Sequence, residues 1–281
     1  MDAVPAVREL FASGVADLER LGVESAASDV RLLLAEACGT SPAELAFSDR
    51  TVTDAEAEKF RGFLRRRLDR EPVQYILGYS YFYDLELEVT PAVLIPRPET
   101  ELIVDRVLET LPDGGSFLDL GTGSGAIALS VARHRPDVRV VGIDISADAL
   151  GIAMRNADKL EVKNIEFRRS DLFSELNGEC FDVIAANLPY VPEEDRPRLA
   201  PEVALREPAL ALFALDGGLA VINRALEELP RHVSPGAFVI FELDPRQAAT
   251  AAKMLERRGF AAAIRRDLTG RERFVEGVAA R

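Results

Sequence analysis

A glycine-rich segment, Gly121-Thr122-Gly123-Ser124-Gly125, limits the folds open to this chain more than any other stretch. An apolar run at 117–120 precedes it and predicts a buried strand, and residues 126–134 follow it with the pattern of a helix. A glycine turn between a strand and a helix lets the backbone approach a nucleotide-like ligand at the helix N-terminus. The segment therefore predicts an α/β fold with a ligand site at the end of a strand.

The region from Leu94 onward alternates apolar runs typical of strands with patterns typical of helices. Pro98 is suited to the first turn of a helix that extends to at least Leu108. This order predicts a doubly wound, mainly parallel sheet that ends in a hairpin through Thr269-Gly270. The predicted strands are 117–120, 138–143, 165–168, 181–186, 237–243, about 262–266 and about 273–278.

Residues 1–76 differ from the rest of the chain because their apolar side chains recur at helical spacing throughout. Thr53-Asp54-Ala55-Glu56 has the form of a capping box and predicts the start of the third helix. That helix carries the main basic cluster of the chain, and two interpretations of it stay open. The cluster contacts an RNA-associated or acidic partner, or it is a solvated face balanced by nearby acids, which is the commoner case. Its members are Arg61, Arg65, Arg66, Arg67 and Arg70.

Charge and composition argue against several classes of function. The net charge of -13 disfavours a bare nucleic-acid backbone as the main partner, because phosphate binding uses clustered Lys and Arg. Cys38 and Cys180 lack the spacing of a disulfide framework or a zinc site, so no metal is expected. No apolar run approaches the ~20 residues of a membrane-spanning helix. Because Met1-Asp2-Ala3-Val4-Pro5 also lacks the features of a signal peptide, the expected compartment is the cytoplasm.

The glycine-rich segment alone does not identify its ligand. Asp144, at the end of the second predicted strand, would accept hydrogen bonds from ribose hydroxyls. That combination serves a dinucleotide and S-adenosyl-L-methionine equally, and the spacing of Gly121, Gly123 and Ala126 also satisfies a relaxed dinucleotide fingerprint. A nicotinamide-dependent oxidoreductase therefore stays open at this point.

Three further features favour a methyl donor. Asp119 places a carboxylate just before the glycines, where a cationic ligand with an amino group would gain and a pyrophosphate would not. Asp171, after the third strand, could meet an adenine amine, with Leu172 and Phe173 beside the ring. The fourth strand ends in Asn187-Leu188-Pro189-Tyr190, which suits amine methylation and has no role in hydride transfer.

The tetrapeptide Asn187-Leu188-Pro189-Tyr190 addresses one chemical problem, which is to make a planar NH2 group nucleophilic. Leu188 precedes a proline and is biased to an extended conformation, so its carbonyl is a fixed acceptor. The Asn187 side-chain oxygen and this carbonyl could accept both N–H bonds, while Tyr190 stacks on the plane of the group. A simple turn after a core strand is the alternative interpretation.

These motifs resemble the class I S-adenosylmethionine-dependent methyltransferases, and more closely the HemK/PrmC family of peptide chain release factor glutamine methyltransferases. The resemblance covers nearly the whole chain, and its most family-specific part is Pro96-Arg97-Pro98-Glu99-Thr100-Glu101. The other matching stretches are Glu71-Pro72-Val73-Gln74-Tyr75-Ile76-Leu77-Gly78, Asp119 to Gly125, Asn187 to Tyr190, Glu202-Val203, Arg206-Glu207-Pro208 and Leu215-Asp216-Gly217-Gly218.

The resemblance implies a Rossmann-like, mainly parallel seven-stranded sheet with an antiparallel C-terminal strand. It also implies methylation of the glutamine amide in the Gly-Gly-Gln motif of release factors, with S-adenosyl-L-methionine as cofactor. The expected parts are a helical substrate-recognition domain at 1–76, a β-hairpin linker at 77–95 and a methyltransferase domain at 96–281. The protein is expected to act on a release factor as a monomer, without direct nucleic-acid contact and away from membranes.

One departure from the family pattern concerns the second position of the tetrapeptide, where Leu188 replaces the usual proline. Ribosomal RNA adenine dimethyltransferases often carry leucine there, so an RNA or DNA adenine methyltransferase is the alternative function. The roles of Arg97, Glu99 and Glu207, in substrate contact or in bracing, stay open. The expected catalytic residues are Asn187, Leu188, Pro189 and Tyr190. The expected cofactor-binding residues are Asp119, Gly121, Thr122, Gly123, Ser124, Gly125, Asp144, Ile145, Asp171, Leu172 and Asn187.

Overall fold

The computed structural model describes residues 6–46 and 50–280. The extreme N-terminus, where no signal peptide is expected, lies outside these residues. The described chain forms two compact units. The first runs to Gly78 and includes Pro201–Arg206, and the second comprises Tyr79–Ala200 and the residues from Glu207 onward. In the described ranges, no helix combines the length and apolar character needed to cross a membrane.

The first unit is helical, as the spacing of its apolar residues predicts. Its core consists of the apolar faces of α1, α2 and α4, including Leu18, Val30 and Phe60. At the start of α4, Thr53 Oγ1 accepts a hydrogen bond from Glu56 N, and Glu56 Oε2 accepts one from Thr53 N at 2.8 Å, which confirms the predicted capping box. The helices are α1 (Val7–Arg20), α2 (Ala26–Ala37), α3 (Pro42–Ala46), α4 (Asp54–Leu68) and α5 (Val73–Leu77), with α9 (Pro201–Arg206) added from later in the chain.

The arginines of α4 and the residues after it are paired with acidic side chains of the same unit. Arg67 is 2% exposed in its side chain and bonds to both Asp29 and Glu202, at 2.7 and 2.6 Å. The remaining pairs are Arg61 and Arg65 with Glu58, Arg66 with Glu71, and Arg70 with Glu202. The pairs of Arg61, Arg65, Arg66 and Arg70 agree with the interpretation of the cluster as a solvated, balanced face, whereas Arg67 is buried and that interpretation is wrong for it.

The second unit contains the predicted doubly wound sheet. Its seven strands lie in the order β10-β11-β9-β6-β3-β4-β5, and β11 runs antiparallel to the other six. These strands are β3 (Ser116–Leu120), β4 (Arg139–Asp144), β5 (Ile165–Arg169), β6 (Phe181–Ala186), β9 (Val233–Glu242), β10 (Phe260–Arg266) and β11 (Glu272–Ala279). The fold class is confirmed, although β9 begins four residues earlier than 237, the start predicted from its apolar run.

Alternating side chains along the strands face two hydrophobic clusters, one on each side of the sheet. In β6, Ile184 belongs to one cluster and Val183 and Ala185 to the other. The helices of this unit are α6 (Glu101–Thr110), α7 (Ala126–His134), α8 (Ala147–Lys159), α10 (Ala209–Leu212), α11 (Ala220–Glu228) and α12 (Ala248–Glu256). Short 3-10 turns lie at Pro98–Thr100, Glu193–Arg198 and Leu229–Arg231, and two short strands, β7 (Val191–Pro192) and β8 (Phe213–Ala214), pair with each other.

The predicted hairpin consists of β1 (Tyr79–Phe82) and β2 (Leu85–Glu88). It belongs to the same compact unit as the sheet, and Phe82, Leu85 and Leu87 contribute to one of the sheet's clusters. The buried side chain of Asn156 joins the end of the hairpin to the glycine-rich segment. Its Oδ1 accepts a hydrogen bond from Glu88 N at 2.7 Å, and its Nδ2 donates to Ser124 O at 3.0 Å. The hairpin therefore supports the loop predicted to hold the cofactor.

Candidate active site

A cavity of about 250 Å³ lies at the carboxyl ends of β3, β4 and β6. This is the edge at which ligands bind in doubly wound sheets. The cavity brings together most of the residues that the sequence predicts as site residues. They are Gly121, Thr122, Gly123, Ser124, Asp144, Ile145, Asp171, Leu172, Asn187, Leu188 and Pro189. Three predicted residues, Asp119, Gly125 and Tyr190, do not line it.

The glycine-rich segment forms one wall of this cavity and is held by Asp144. Asp144 Oδ2 accepts a hydrogen bond from Gly123 N at 2.9 Å, and Oδ1 accepts one from Ser146 N at 2.8 Å. Gly123 has a φ of +56°, and a Cβ added to it would meet no atom within 4 Å. The backbone at this point therefore faces open space, as close approach to a ligand requires.

Asp119 lies beneath the glycine-rich segment, where it is fully buried. Its Oδ2 accepts hydrogen bonds from Thr122 Oγ1 at 2.7 Å and from Ala128 N at 3.2 Å. Within the described part of the chain, its Oδ1 has no hydrogen-bond partner. Burial raises the pKa of Asp119 to about 7, and the nearby charge of Asp144 acts in the same direction. Asp119 thus supports the cofactor wall without forming its surface.

Asp171 lines the cavity and is paired with an arginine that the sequence analysis did not single out. Arg224 Nη2 donates to Asp171 Oδ2 at 2.8 Å, and both side chains are about half exposed. Arg224 lies on α11 and also lines the cavity. No local pattern connects the two residues, because they are 53 positions apart.

The acceptor tetrapeptide directly follows β6 and reaches the cavity through its first three residues. Asn187 Nδ2 donates to Thr100 Oγ1 at 3.2 Å, and Thr100 Oγ1 donates to Glu242 Oε2 at 2.7 Å. The hydroxyl of Tyr190 donates to Glu242 Oε1 at 3.2 Å. Burial is the main cause that raises the pKa of this phenol above its usual value, and the negative charge of Glu242 raises it further.

Leu188 is 5% exposed, and its side chain packs in a core cluster beside the sheet. A Cβ built on Gly121, where φ is +80°, would lie 3.0 Å from Leu188 Cδ2. The leucine that departs from the family pattern therefore makes the contact between the acceptor tetrapeptide and the glycine-rich segment. Its role in the fold is packing, and its carbonyl remains the feature of interest for the reaction.

Arg97 and Glu207, two of the three residues whose roles were open, pair with each other beside the cavity. Glu207 is 6% exposed; its Oε1 accepts a hydrogen bond from Arg97 Nη2 at 2.5 Å, and its Oε2 accepts one from Ile95 N at 3.1 Å. Arg97 lines the cavity, whereas Glu99 is exposed and does not. Thr100 and Glu242 also belong to the site, although the sequence motifs do not predict them as site residues. The available signal for Glu242 was an acid at the end of the apolar run 237–241.

Comparison with known proteins identifies the family. Residues 9–78 match the PrmC N-terminal domain, and residues 111–244 match a methyltransferase domain. The chain is 42% identical to the release factor glutamine methyltransferase of Pseudomonas aeruginosa over 90% of its own length and 92% of the relative's. It is 38% identical to the enzyme of that name from Geobacter sulfurreducens over 86% of each chain. The chain belongs to the release factor glutamine methyltransferase family.

This membership confirms the resemblance to the HemK/PrmC family. The release factor glutamine methyltransferase of Escherichia coli is 40% identical over 78% of this chain and 79% of the relative. Solved structures agree on the fold. A methyltransferase from Pyrococcus furiosus has a TM-score of 0.54 at 19% identity, covering 71% of this chain and 91% of that one. The class I methyltransferase fold expected for the family is therefore also observed.

Proposed function

We propose that this chain methylates the side-chain amide nitrogen of the glutamine in the Gly-Gly-Gln motif of a peptide chain release factor, using S-adenosyl-L-methionine. One observation carries the proposal. Asn187 and Leu188 line the same cavity as the glycine-rich segment, so acceptors for an NH2 group and a cofactor loop share one space. Membership of the release factor glutamine methyltransferase family supports the substrate class.

The residues of the glycine-rich wall fit S-adenosyl-L-methionine. The open backbone at Gly123 leaves room for a ligand, and Asp144 provides a carboxylate at the cavity surface, whereas the carboxylate of Asp171 is paired there with Arg224. The Asp144 carboxylate can accept hydrogen bonds from the ribose hydroxyls of S-adenosyl-L-methionine, a sulfonium ligand. When bound, it supplies an electrophilic methyl group whose bond to sulfur breaks with both electrons staying on sulfur, so the leaving group is neutral.

In this proposal, the chain acts mainly by positioning. The Asn187 side-chain oxygen and the Leu188 carbonyl accept the two hydrogens of the glutamine amide and draw its nitrogen lone pair out of conjugation. Both interactions strengthen as positive charge develops on nitrogen, so they stabilise the transition state more than the ground state. Pro189 keeps the Leu188 carbonyl fixed. The proton leaves to water after transfer, and no side chain is required as a base.

The substrate is tested by methyl transfer from labelled S-adenosyl-L-methionine. Purified release factor should be labelled, and a release factor whose motif glutamine is replaced by glutamate should not. Ribosomal RNA serves as the competing acceptor in a parallel reaction. Labelled RNA with unlabelled release factor would replace this proposal with the adenine methyltransferase alternative.

We also propose that residues 1–76 recognise the release factor, that 77–95 link the domains and that 96–281 carry the reaction. The match of residues 9–78 to the PrmC N-terminal domain supports the first part. The proposed working form is a cytoplasmic monomer without a nucleic-acid partner. The net charge of -13 supports the last of these points. A variant lacking residues 1–76 should bind the cofactor but fail to methylate intact release factor. Retained methylation would contradict the recognition role.

A further inference from the structure

The carboxylate of Glu242 has no part in the reaction described above, although it lies next to the acceptor tetrapeptide. Glu242 is the last residue of β9 and is 1% exposed. Strand β9 pairs with β6, the strand that leads into Asn187. A buried carboxylate is costly unless it is hydrogen-bonded. The Glu242 carboxylate must therefore be stabilised by hydrogen bonds to its neighbours.

Glu242 accepts two hydrogen bonds, and each connects it to the tetrapeptide. Tyr190 OH donates directly to Oε1 at 3.2 Å. Thr100 Oγ1 donates to Oε2 at 2.7 Å and accepts from Asn187 Nδ2 at 3.2 Å. Thr100 is 4% exposed and lines the cavity, whereas Glu242 does not reach it. One carboxylate thus holds both polar ends of the tetrapeptide.

The direction of these bonds follows from the number of hydrogens available. A carboxylate only accepts, so the hydroxyl of Thr100 must use its single hydrogen on Glu242. The hydroxyl then has only lone pairs for Asn187, and the amide must turn its NH2 group toward Thr100. The Asn187 oxygen is left to face the cavity. This is the orientation that an incoming NH2 group, which can only donate, requires.

We propose that Glu242 is a positioning residue that, through Thr100, fixes the side-chain amide of Asn187 with its oxygen toward the substrate nitrogen. This inference rests on the proposed function for its catalytic consequence, but the amide orientation itself is a property of the free enzyme. Glu242 also fixes Tyr190, which keeps the loop that carries the Leu188 carbonyl in place. A reversed amide would present NH2 to NH2, and the acceptor would be lost.

The charges around Glu242 determine when this arrangement holds. Burial raises the pKa of its carboxyl, and the nearby Glu99 also raises it. Thr100, Arg273 of β11 and Tyr190 favour the ionised form. Once protonated, Glu242 can donate to Thr100, whose hydroxyl is then free to donate to the Asn187 oxygen. We therefore expect turnover to fall on the acidic side as Glu242 gains a proton.

The first test removes the hydroxyl that connects Glu242 to Asn187. T100V should lower kcat by about 10- to 100-fold, because the amide orientation is no longer fixed, while cofactor affinity stays within about twofold. T100S keeps a hydroxyl and should retain most of the turnover. The matched control is T110V in α6, where the hydroxyl donates only to backbone carbonyls of its own helix, at 2.8 and 3.4 Å. Wild-type kcat in T100V would overturn the inference.

The second test removes the charge of Glu242 and keeps its shape. In E242Q a neutral amide can donate to Thr100, so both orientations of Asn187 become accessible, and kcat should fall about tenfold. The acidic decline of kcat should also disappear. E276Q is the control, because Glu276 is a buried acid of the neighbouring strand β11 that bonds to Arg106 and Arg265 and not to Thr100 or Tyr190. An acidic decline unchanged in E242Q would overturn the inference.

A third readout does not depend on methyl transfer. The side-chain amide hydrogens of Asn187 can be assigned in NMR spectra by their absence in N187A. They should exchange slowly in the wild type and faster in T100V. Equal exchange in the two proteins would overturn the amide orientation whether or not a release factor is the substrate. Failure of the wild type to methylate release factor, with slow exchange present, would instead contradict only the proposed function.

Discussion

The two halves of the candidate site are built in different ways. In the cofactor half, the carboxylates around the glycine-rich segment bond to backbone close by in sequence, as Asp144 does to Gly123 N, 21 positions away, and Asp119 to Ala128 N, nine positions away. In the acceptor half, Asn187 is held by Thr100, 87 positions away, and Thr100 by Glu242, 142 positions away. Apart from the pairing of Asp171 with Arg224, 53 positions away, the cofactor half is thus a local motif, and the acceptor half is a product of the sheet.

Because the two halves are built differently, substitutions should affect them in different ways. Hydrogen bonds from a carboxylate to the backbone of the same strand–helix–strand unit persist as long as that unit folds. The hydrogen bonds from Glu242 through Thr100 to Asn187 join side chains of separate elements, and their donor–acceptor direction can reverse without any change of fold. We therefore expect substitutions in the cofactor half to alter cofactor affinity, and those in the acceptor half to alter turnover.

The largest effect is expected for N187A. This substitution removes the acceptor that faces the substrate nitrogen, so kcat should fall by about 100-fold or more. The dissociation constant of S-adenosyl-L-methionine should change little, because the glycine-rich segment is untouched. Turnover and cofactor affinity are measured separately, by single-turnover methylation and by calorimetry. Normal turnover would remove Asn187 from the catalytic residues.

D144A should have the opposite pattern. It removes a charged acceptor from Gly123 N and Ser146 N, and hydrogen bonds to charged groups contribute roughly 1.5–3 kcal/mol each. Cofactor affinity should fall by about 10- to 100-fold, while kcat at saturating cofactor is nearly retained. D148A is the control, since Asp148 is an exposed acid in the first turn of α8. An unchanged dissociation constant in D144A would exclude Asp144 from the site.

G121A tests the contact between the halves. Both Gly121 and Gly123 have positive φ, so alanine strains either position by about 1–2 kcal/mol. If the free loop relaxes from this strain, restoring the binding conformation lowers affinity by up to roughly tenfold. Only at Gly121 does the added Cβ also approach Leu188 Cδ2, at 3.0 Å. We expect G121A to lower both cofactor affinity and kcat, and G123A to lower affinity alone. Equal kcat values in the two variants would show that the halves are not coupled through Leu188.

For Asp119 we expect a smaller effect, which is a dependence of cofactor affinity on pH. Its pKa in the free protein is raised to about 7 by burial, and a nearby cationic ligand would favour its ionised form. Cofactor affinity should therefore increase several-fold as the pH rises from about 6 to 8 and level off above the pKa. Calorimetric titrations at each pH measure this. D119N keeps an acceptor for Thr122 and Ala128 N and should flatten the dependence; the same slope in D119N would assign it to another group.

The smallest effect on turnover is expected for L188P, which restores the usual family residue. The carbonyl acceptor is kept, so kcat should stay within about threefold. Loss of the buried leucine side chain should lower the free energy of unfolding by about 1–3 kcal/mol, because its packing against the core is removed. Thermal unfolding and kcat are compared in the same preparation. A large loss of turnover would mean that the leucine side chain itself positions the acceptor.

Much of the fold could be predicted from the sequence because its signals are local. Apolar runs of strand length, the glycines between strand and helix, and the capping box at Thr53 each depend on neighbours in the chain. The seven-stranded sheet and the cavity residues from Gly121 to Ser124 follow from them. The start of β9 at Val233 was missed because Ser234, Pro235 and Gly236 do not form an apolar run.

The sequence by itself determined the order of strands and helices along the chain, the glycine-rich segment with Asp144 at the end of the next strand, and the acceptor tetrapeptide at the end of β6. Only the tertiary structure decided that Asn187 turns its NH2 toward Thr100, that Tyr190 bonds Glu242 behind the cavity, and that Asp171 pairs with Arg224. The physical reason is the order of the sheet. It places β9 beside β6, and so it brings together side chains that no local pattern connects.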